Sequence, residues 1–479
     1  MKITLIEPKA PGVHVYAKFK LPRLGLPLLG AMLERELGIR PTIIFQELGG
    51  IDWNEVSESD LVGISTITTT ALEAYSILER VKQHGDIPVI MGGPHVTFLP
   101  EEALQKGADY VMRGEGEYAF IDLVKRLRAG DDDMTNIPGL SYRSGEGFVH
   151  NPMSKKVEHL ADLPWPDLTM IRNYEKVRTI PIMTSRGCPY NCKFCSVTKM
   201  FGRRYRFRET EDVLAELEML SKRSRRASFF FYDDNFTARP KRTKELLQGM
   251  IDRGLKVNWT AQARVDVVKD EEMLALMKES GCTFLYLGLE SINPRTLESY
   301  RKEQTVQDIS EAVKVLHEYK IRVHGMFVLG SDDDDLKTIR ETVRFARGMK
   351  IDTVQFLILT PFPGTETYDE LFSQGRILVE DWDKYSGHHV VFEPLKMTPY
   401  QLQKEGSIRS MRRFYSLWQC WKLGLRFRWW DFAIYAYAHH GVHRFRTLNK
   451  DFLKDMKQRW GRVRAKTPPL PVSGLDSEA

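Results

Sequence analysis

Three cysteines lie within eight residues of this 479-residue chain, in the stretch CPYNCKFC. Cys188, Cys192 and Cys195 have the spacing Cys-x3-Cys-x2-Cys, whereas Cys282 and Cys420 are isolated. An iron–sulfur cluster and a structural zinc ion both normally take four protein ligands. Three thiolates on a 4Fe–4S cluster would leave one iron open, and an open iron can chelate a small ligand through an amine and a carboxylate. A zinc site completed by a histidine is the alternative.

The elements around these cysteines alternate between strand and helix patterns. Apolar runs such as ASFFFYDDN and TFLYLGLES predict strands, and ETEDVLAELEMLSKR has the spacing of an amphipathic helix. Six such βα-like units follow one another, fewer than the eight of a closed barrel. We therefore expect a partial (β/α)6 barrel whose site lies at the carboxyl ends of its strands, with the cysteine loop directly after the first strand.

The amino-terminal part of the chain shows the same alternation. Runs such as KITLIEP, DLVGISTIT and PVIMGGP predict strands, and ALEAYSILERVKQHG predicts a helix that stops at glycine. This pattern favours a doubly wound parallel sheet of the Rossmann-like type. Such sheets bind ligands beyond the carboxyl ends of their strands. The candidate ligand loops are therefore STITTT (65–70), GGPHVTF (92–98) and RGEGE (113–117).

The composition shifts give the expected domain boundaries. A Gly-, Pro- and Asp-rich stretch with room for one small hairpin separates the two alternating regions, and the last hundred residues are mostly helical in pattern. The α/β chain is thus expected to contain a doubly wound domain (1–135), a linker (136–178), a partial barrel (179–375), a helical carboxyl-terminal domain (376–465) and a disordered tail (466–479).

The sequence SRGCPYNCKFCSV resembles the cluster motif of the radical S-adenosylmethionine (radical SAM) superfamily, including Phe194 before the last cysteine. The resemblance implies that Cys188, Cys192 and Cys195 hold a 4Fe–4S cluster and that S-adenosylmethionine binds its open iron. One electron from the reduced cluster would cleave S-adenosylmethionine to methionine and a 5′-deoxyadenosyl radical, which abstracts hydrogen from an unactivated position. The cofactor carries this chemistry, and no catalytic side chain is predicted.

The resemblance also implies S-adenosylmethionine contacts at the ends of later strands. In FFFYDDNF, carboxylates replace the Gly-Gly-Glu-like motif of the superfamily, and Asp234 is expected to bind the amine. The further expected contacts are Arg264, Glu290, Ser291 and Gly330. Acidic residues after strands are also frequent helix N-caps, which is the alternative for Glu290 and Asp233. The basic and aromatic run GRRYRFR (202–208) is either a solvated surface or packs near the cluster.

A doubly wound domain followed by a partial barrel resembles the cobalamin-binding class of this superfamily. The matching stretches are GISTITTT, IMGGPHVTFLPEEAL and DYVMRGEGE. The residues expected at the cobalamin are Ser65, Thr66, Thr68, Thr69, Gly92, Gly93, Gly114 and Glu115. The Asp-x-His-x-x-Gly motif of classical cobalamin enzymes is absent: His14 lacks that pattern, and His95 is interpreted as a loop residue. Alternatively, the domain has lost its ligand and only covers the barrel.

The resemblance implies a cobalamin-dependent radical SAM enzyme, and methyl transfer from methylcobalamin to a substrate carbon radical is the leading function. Relatives in this class act on hopanoids, chlorophyll-type tetrapyrroles and natural products. Oxidative cyclisation or another redox rearrangement without net methylation is the second interpretation. A non-catalytic iron–sulfur or cobalamin sensor is the third.

Composition limits the partners and the compartment. The net charge of +6 does not by itself imply nucleic acid, and five cysteines without a disulfide pattern favour a reducing, cytoplasmic location. We expect a small-molecule substrate, lipid or tetrapyrrole, and an electron donor such as flavodoxin or ferredoxin. Five of the nine tryptophans lie between residues 410 and 465, interleaved with arginines. This pattern fits peripheral membrane contact, a substrate lid or an ordinary core.

Overall fold

The computed structural model of the chain describes residues 1–10, 12, 20–223 and 228–461. Two parallel sheets with helices around them are followed by a helical carboxyl-terminal region, which confirms the predicted α/β fold class. The predicted tail (466–479) and His14 lie outside the described residues.

Within the described residues, the first sheet contains seven strands: β1 (Ile3–Glu7), β2 (Thr42–Phe45), β3 (Leu61–Ser65), β4 (Val89–Gly92), β5 (Tyr110–Met112), β6 (Leu140–Ser144) and β7 (Gly147–His150). Their order is β2-β1-β3-β4-β5-β6-β7. The first five are parallel, and β6 and β7 form an antiparallel hairpin, inside the range predicted as a linker, that extends the sheet. The chain order reverses between β1 and β3, where a doubly wound sheet opens a ligand crevice.

The helices of this part pack on both faces of the sheet. Leu26, Leu28 and Leu33 of the first helix are buried, and the helix ends at Gly38, whose left-handed φ of 66° suits glycine. The described helices here are α1 (Gly25–Leu37), α2 (Trp53–Ser57), α3 (Ala71–Gln83), α4 (Pro94–Phe98), α5 (Pro100–Gln105) and α6 (Glu117–Ala129).

The second sheet is parallel throughout and is the predicted partial barrel. Within the described residues its six strands are β8 (Thr179–Ile182), β11 (Ser228–Phe231), β12 (Asn258–Ala263), β13 (Cys282–Glu290), β14 (Arg322–Leu329) and β15 (Thr353–Ile358). They lie side by side in chain order, from β8 at one edge to β15 at the other. Between β8 and β11, the short strands β9 (Ser185–Arg186) and β10 (Arg206–Phe207) form an antiparallel pair.

The helices that connect these strands are amphipathic and bury their apolar faces against the sheet. Thr305 and Asp308 form a reciprocal capping box at the start of one of them, and the Asp335 side chain caps another. The described helices here are α7 (Val197–Phe201), α8 (Thr210–Arg223), α9 (Pro240–Asp252), α10 (Glu271–Glu279), α11 (Pro294–Ser299), α12 (Val306–Glu318), α13 (Leu336–Gly348) and α14 (Glu366–Ser373).

The carboxyl-terminal helices cover the edge of the barrel beside β15. The Tyr415 hydroxyl donates to the Val354 carbonyl (2.9 Å) and accepts from the Val354 amide (2.8 Å), so it covers the outer edge of that strand. The described helices are α15 (Pro399–Leu402), α16 (Ser410–Phe414), α17 (Leu417–Leu425), α18 (Trp429–Leu448) and α19 (Lys450–Trp460), with a π-helical turn at Gln403–Arg409. Among the described helices, none is both long and apolar enough to cross a membrane.

Candidate active site between the two sheets

The cysteine loop starts at the carboxyl end of the barrel and is closed by the β9–β10 pair. Gly187 has a φ of 92°, and a Cβ there would lie 2.6 Å from the Arg204 carbonyl oxygen. The loop therefore returns on itself at a position that only glycine fits without strain. The amide of Cys188 donates to the Gly202 carbonyl (3.3 Å), which ties the start of the loop to its end.

Three aromatic and charged contacts fix this loop against the rest of the barrel. The Phe194 ring packs edge-on against Tyr300 at a centroid distance of 5.0 Å. The Arg264 guanidinium stacks on the Tyr190 ring at 3.7 Å, and Lys193 forms an ion pair with Glu370 (2.5 Å). The cysteine loop is thus held by residues that directly follow β12 and α11 and by a residue of α14.

Cys188, Cys192 and Cys195 are partly buried thiols without a disulfide partner. Burial raises the pKa of the Cys195 thiol to about 12, so a bare thiolate is disfavoured there and a positively charged centre would be needed to deprotonate it. Burial also raises the pKa of the Cys192 thiol, and the positive charges of Lys302 and Arg264 partly offset this effect. Among the described residues, no three His, Cys, Asp or Glu side chains converge on the position of one metal ion.

The two aspartates after β11 have different surroundings. Asp233 is buried and accepts hydrogen bonds from the Thr184 amide (3.1 Å) and the Ser185 hydroxyl, so it holds the β8–β9 connection and caps no helix. The Asp234 carboxyl group faces an internal cavity that water can enter, although protein surrounds it on most sides. This burial, together with the charge of Asp233, raises the pKa of Asp234 to about 7. A bound cation would favour its charged form.

The other predicted S-adenosylmethionine contacts follow β12, β13 and β14. Arg264 donates to the Lys302 carbonyl (2.6 Å), and Glu290 accepts from the Lys302 ammonium (2.7 Å) with a positive φ of 58°. The Ser291 hydroxyl accepts from the Asn293 amide (3.0 Å). A Cβ at Gly330, where φ is 102°, would lie 2.6 Å from the Leu402 side chain. Glycine at this position therefore also leaves room for the carboxyl-terminal region to pack.

A cavity of about 380 Å³ lies between the first sheet and the barrel. The first sheet contributes the ends of β1, β3, β4 and β5, and the barrel contributes Met183, Met200, Tyr232 and Asp234. Of the residues predicted at the cobalamin, Ser65, Gly92, Gly93, Gly114 and Glu115 line it. Thr66, Thr68 and Thr69 do not: Thr66 and Thr68 are buried in the adjacent loop, and Thr69 is half-buried.

Glycines form much of the wall on the side of the first sheet: Gly63, Gly92, Gly93, Gly114 and Gly116. At Gly93, a Cβ would lie 2.5 Å from the Thr66 carbonyl oxygen, so the loops after β3 and β4 touch through bare backbone. The Thr66 hydroxyl is buried and has no hydrogen-bond partner among the described residues. A backbone-lined wall with mostly apolar neighbours fits a broad, flat ring whose amide groups can reach backbone atoms. Of the described residues lining the cavity, none is a histidine.

Two buried ion pairs join the wall of this cavity to the cysteine loop. The Arg206 guanidinium donates to both carboxylate oxygens of Glu115, one at 2.7 Å, and Arg186 lies 2.6 Å from Glu117. Burial opposes the charged form of Glu115, but both arginines outweigh it and lower its pKa. The run GRRYRFR therefore packs beside the cysteine loop through Arg206. Arg208 is buried and pairs with Glu216 of α8, whereas Arg204 is solvated.

Sequence patterns did not indicate several residues of this site. Glu7 and Arg23 form an ion pair (3.0 Å) at the end of β1, Tyr232 enters the cavity from the barrel, and Lys302 reaches Glu290 from the turn after α11. The position of Tyr232 directly after β11, two residues before Asp234, is a signal that could have identified it. Lys302 lies between two residues with positive φ, Arg301 and Glu303. No local sequence motif indicates this turn, so the position of Lys302 could not be predicted.

Comparisons with known proteins match both halves of the chain. A family model described as the B12 binding domain matches residues 12–124, and one described as the radical SAM superfamily matches residues 182–346. An uncharacterized methyltransferase of Pyrococcus horikoshii is 34% identical over 84% of this chain and 90% of its own. Bacteriochlorophyllide d C-12(1)-methyltransferase of Chlorobaculum tepidum is 32% identical over 78% of each chain.

A solved structure has the same two-domain fold. The radical S-adenosylmethionine methyltransferase TsrM of Kitasatospora setae, determined with cobalamin and a [4Fe-4S] cluster bound, superposes with a TM-score of 0.66. The match covers 86% of this chain and 81% of that chain at 20% sequence identity, so it supports the fold and not the substrate.

Proposed function

Since this chain belongs to the cobalamin-dependent radical SAM enzymes, we propose that it methylates a carbon atom of a large, flat ring of the tetrapyrrole class. The observation that carries the proposal is the shared cavity: the glycine loops of the first sheet and Asp234 of the barrel face the same space. The bound groups supply a radical that removes hydrogen from an unactivated carbon and a corrinoid methyl group that replaces it.

The cysteine loop is proposed to hold the 4Fe–4S cluster through Cys188, Cys192 and Cys195 and to leave one iron free for S-adenosylmethionine. Asp234 is proposed to accept a hydrogen bond from the S-adenosylmethionine amine, because a cation there restores the carboxylate that burial disfavours. Arg264, Glu290, Ser291 and Gly330 are proposed to lie along the remainder of this ligand. The Glu290–Lys302 pair keeps a buried negative charge compensated next to Cys192.

Ser65, Gly92, Gly93 and Gly114 are proposed to contact the corrinoid. The unpartnered Thr66 hydroxyl is the group of the 65–69 loop best able to gain a hydrogen bond when the cavity is filled. Thr68 and Thr69 are proposed to act indirectly, by shaping the loop. Glu115 already binds Arg206, so we assign it to fixing the spacing between the corrinoid wall and the cysteine loop.

Two observations support a tetrapyrrole-class substrate over a small polar one. The cavity is lined largely by apolar side chains, among them Leu26, Phe120, Met183 and Met200, which suit a broad ring. A relative 32% identical to this chain is named for methylation of bacteriochlorophyllide d, a tetrapyrrole. The reduced cluster also requires an electron donor, for which a flavodoxin or ferredoxin is proposed.

Product mass tests this proposal. The protein is reconstituted anaerobically with iron, sulfide and hydroxocobalamin. It is then incubated with S-adenosylmethionine, a strong reductant and either a chlorophyllide or its magnesium-free form, a pheophorbide. The proposal predicts a product heavier by one methylene unit. Loss of hydrogen or gain of oxygen would instead support the oxidative cyclase, and absence of S-adenosylmethionine cleavage with an intact cluster would support a sensor.

A further inference from the structure

The helix α17 presents a large apolar face to solvent. Leu417, Trp418, Trp421 and Leu425 lie within an arc of about 100° around this helix, given 3.6 residues per turn. The side of the helix next to this arc is packed: Cys420 is buried, and Gly424 lies against the Phe432 ring. The exposed face is therefore the outer side of a docked helix.

The aromatic surface continues into the turn that follows. Phe427, Trp429 and Trp430 are exposed, and together with the four residues of α17 they form what we call the aromatic hairpin, residues 417–430. Its seven large apolar side chains are between 55% and 78% exposed, and they are half of all such exposed side chains among the described residues. A patch of this kind on a soluble domain marks an interaction surface.

The charge around the hairpin has one sign. Between Glu405 and Asp431 the chain carries six basic residues and no acidic one. Lys422 lies over the Trp418 ring at 4.9 Å, and Arg426 and Arg428 flank Phe427. Asp431, which ends this stretch, is itself paired with Arg428 (2.7 Å) and Arg322. The surface is therefore aromatic and cationic at once.

A pocket lined by arginines adjoins the hairpin. Arg340, Arg344 and Arg347 of α13 and Arg413 of α16 surround a surface depression of about 230 Å³. The helix α13 packs on α16, which packs on α18, and the charges of both Arg347 and Arg428 act on the phenol of Tyr435. Glu405 pairs with Arg413 (2.9 Å), whereas Arg344 and Arg347 form no ion pair with any described residue.

This surface lies away from the cavity. Asp431 at the start of α18 pairs with Arg322, the first residue of β14, so the hairpin is near the amino ends of the barrel strands. The cysteine loop and Asp234 are at the carboxyl ends. The hairpin is thus not a lid over the substrate site.

We propose that the aromatic hairpin and the arginine pocket are a peripheral docking surface for an anionic phospholipid bilayer. Tryptophan, phenylalanine and leucine side chains enter the interfacial layer, and the arginines and Lys422 bind headgroup phosphates. Charge favours this occupant over a second copy of the chain, because two copies would bring the same cations together. The proposal does not depend on the substrate proposed above.

Co-sedimentation with lipid vesicles tests the proposal. The reconstituted full-length protein is mixed with vesicles of phosphatidylcholine alone or of phosphatidylcholine with phosphatidylglycerol. We expect it to pellet with the anionic vesicles and to be released by added salt. The variants Trp418→Ala/Trp430→Ala and Lys422→Glu/Arg426→Glu should each weaken partitioning at least about tenfold. Phe372→Ala and Lys314→Glu, exposed elsewhere, should not change it.

Iron content and thermal midpoint identify any variant that misfolds, and the charge-reversal variant alters only surface side chains. Equal pelleting of wild type and both hairpin variants would overturn the proposal, as would binding that does not depend on phosphatidylglycerol. Sedimentation velocity gives the remaining outcome. If the wild type is a dimer, the tryptophan variant is a monomer and neither binds vesicles, the hairpin serves self-association. That result would overturn the lipid proposal.

Discussion

Glu115 in the loop after β5 and Arg206 beside the cysteine loop form a buried two-point ion pair that joins the two sheets of this enzyme. Their side chains are only 1% and 4% exposed. The same carboxylate accepts from the Val157 amide (2.9 Å). Because Glu115 lines the cavity while Arg206 closes the cysteine loop, this pair sets the distance between the two proposed cofactor positions.

Breaking this pair should be costly. Glu115→Gln leaves the Arg206 charge buried without its partner, and we expect the free energy of unfolding in urea to fall by about 3–5 kcal/mol. Glu158→Gln removes the solvated partner of Arg204 and should cost at most about 1 kcal/mol. Similar losses for the two variants would show that the buried pair does not join the domains.

Gly187→Ala should prevent the cysteine loop from closing. The added Cβ meets the Arg204 backbone at a positive φ, so we expect the reconstituted variant to bind much less iron than the wild type. Gly145→Ala is the matched control, because its φ is also positive but no atom lies within 4 Å of the added Cβ. Iron content is measured by colorimetric assay, and full iron loading of Gly187→Ala would refute the close return of the loop.

Asp234→Asn should weaken S-adenosylmethionine binding and leave the cluster intact. Loss of a charge-assisted hydrogen bond corresponds to about a 10- to 100-fold increase in Kd, measured by equilibrium dialysis against the reconstituted protein. Asp252→Asn, which changes an exposed carboxylate on α9, should leave the Kd unchanged. An unchanged Kd with Asp234→Asn would remove this residue from the proposed site.

Lys302→Met should make the cluster harder to reduce. The Lys302 ammonium is buried and its charge acts on Cys192, so its removal takes away a positive charge that favours the reduced state. We expect a more negative midpoint potential in a redox titration followed by electron paramagnetic resonance. Lys199→Met, exposed on α7 after the same loop, is the control. Equal potentials in both variants would contradict a role for Lys302 at the cluster.

Buried neutral histidines should make the protein sensitive to acid. Burial lowers the pKa of His324 to about 3, so the unfolded chain binds this proton first, and stability is lost as pH falls from about 6.5 toward 3. Between pH 7 and pH 5, His324→Gln should lose up to about 2 kcal/mol less stability than the wild type. Urea unfolding at both pH values measures this difference. His440→Gln, which changes an exposed histidine of α18, is the control. An equal loss of unfolding free energy between pH 7 and pH 5 in His324→Gln and His440→Gln would contradict this prediction.

The two sheets and the cysteine loop could be predicted because they depend on local patterns. Apolar runs set the strands, and the rule that ligands bind at strand ends led to Gly92 and Gly93. The resemblance to the superfamily led to Asp234. The pairing of Glu115 with Arg206 joins positions 91 residues apart and has no local signature. The exposure of Trp418 and Trp430 likewise depends on how α17 docks, which helical spacing alone does not determine.

The cavity between the two sheets is proposed to hold a corrinoid beside the cluster. To test this, the protein is reconstituted anaerobically with hydroxocobalamin, unbound metal is removed, and iron, sulfide and cobalt are counted per chain. We expect about four irons and one cobalt, together with the visible spectrum of a bound corrinoid. Four irons without cobalt would contradict it, because the glycine-lined wall would then hold another ligand and methylation would lose its methyl carrier.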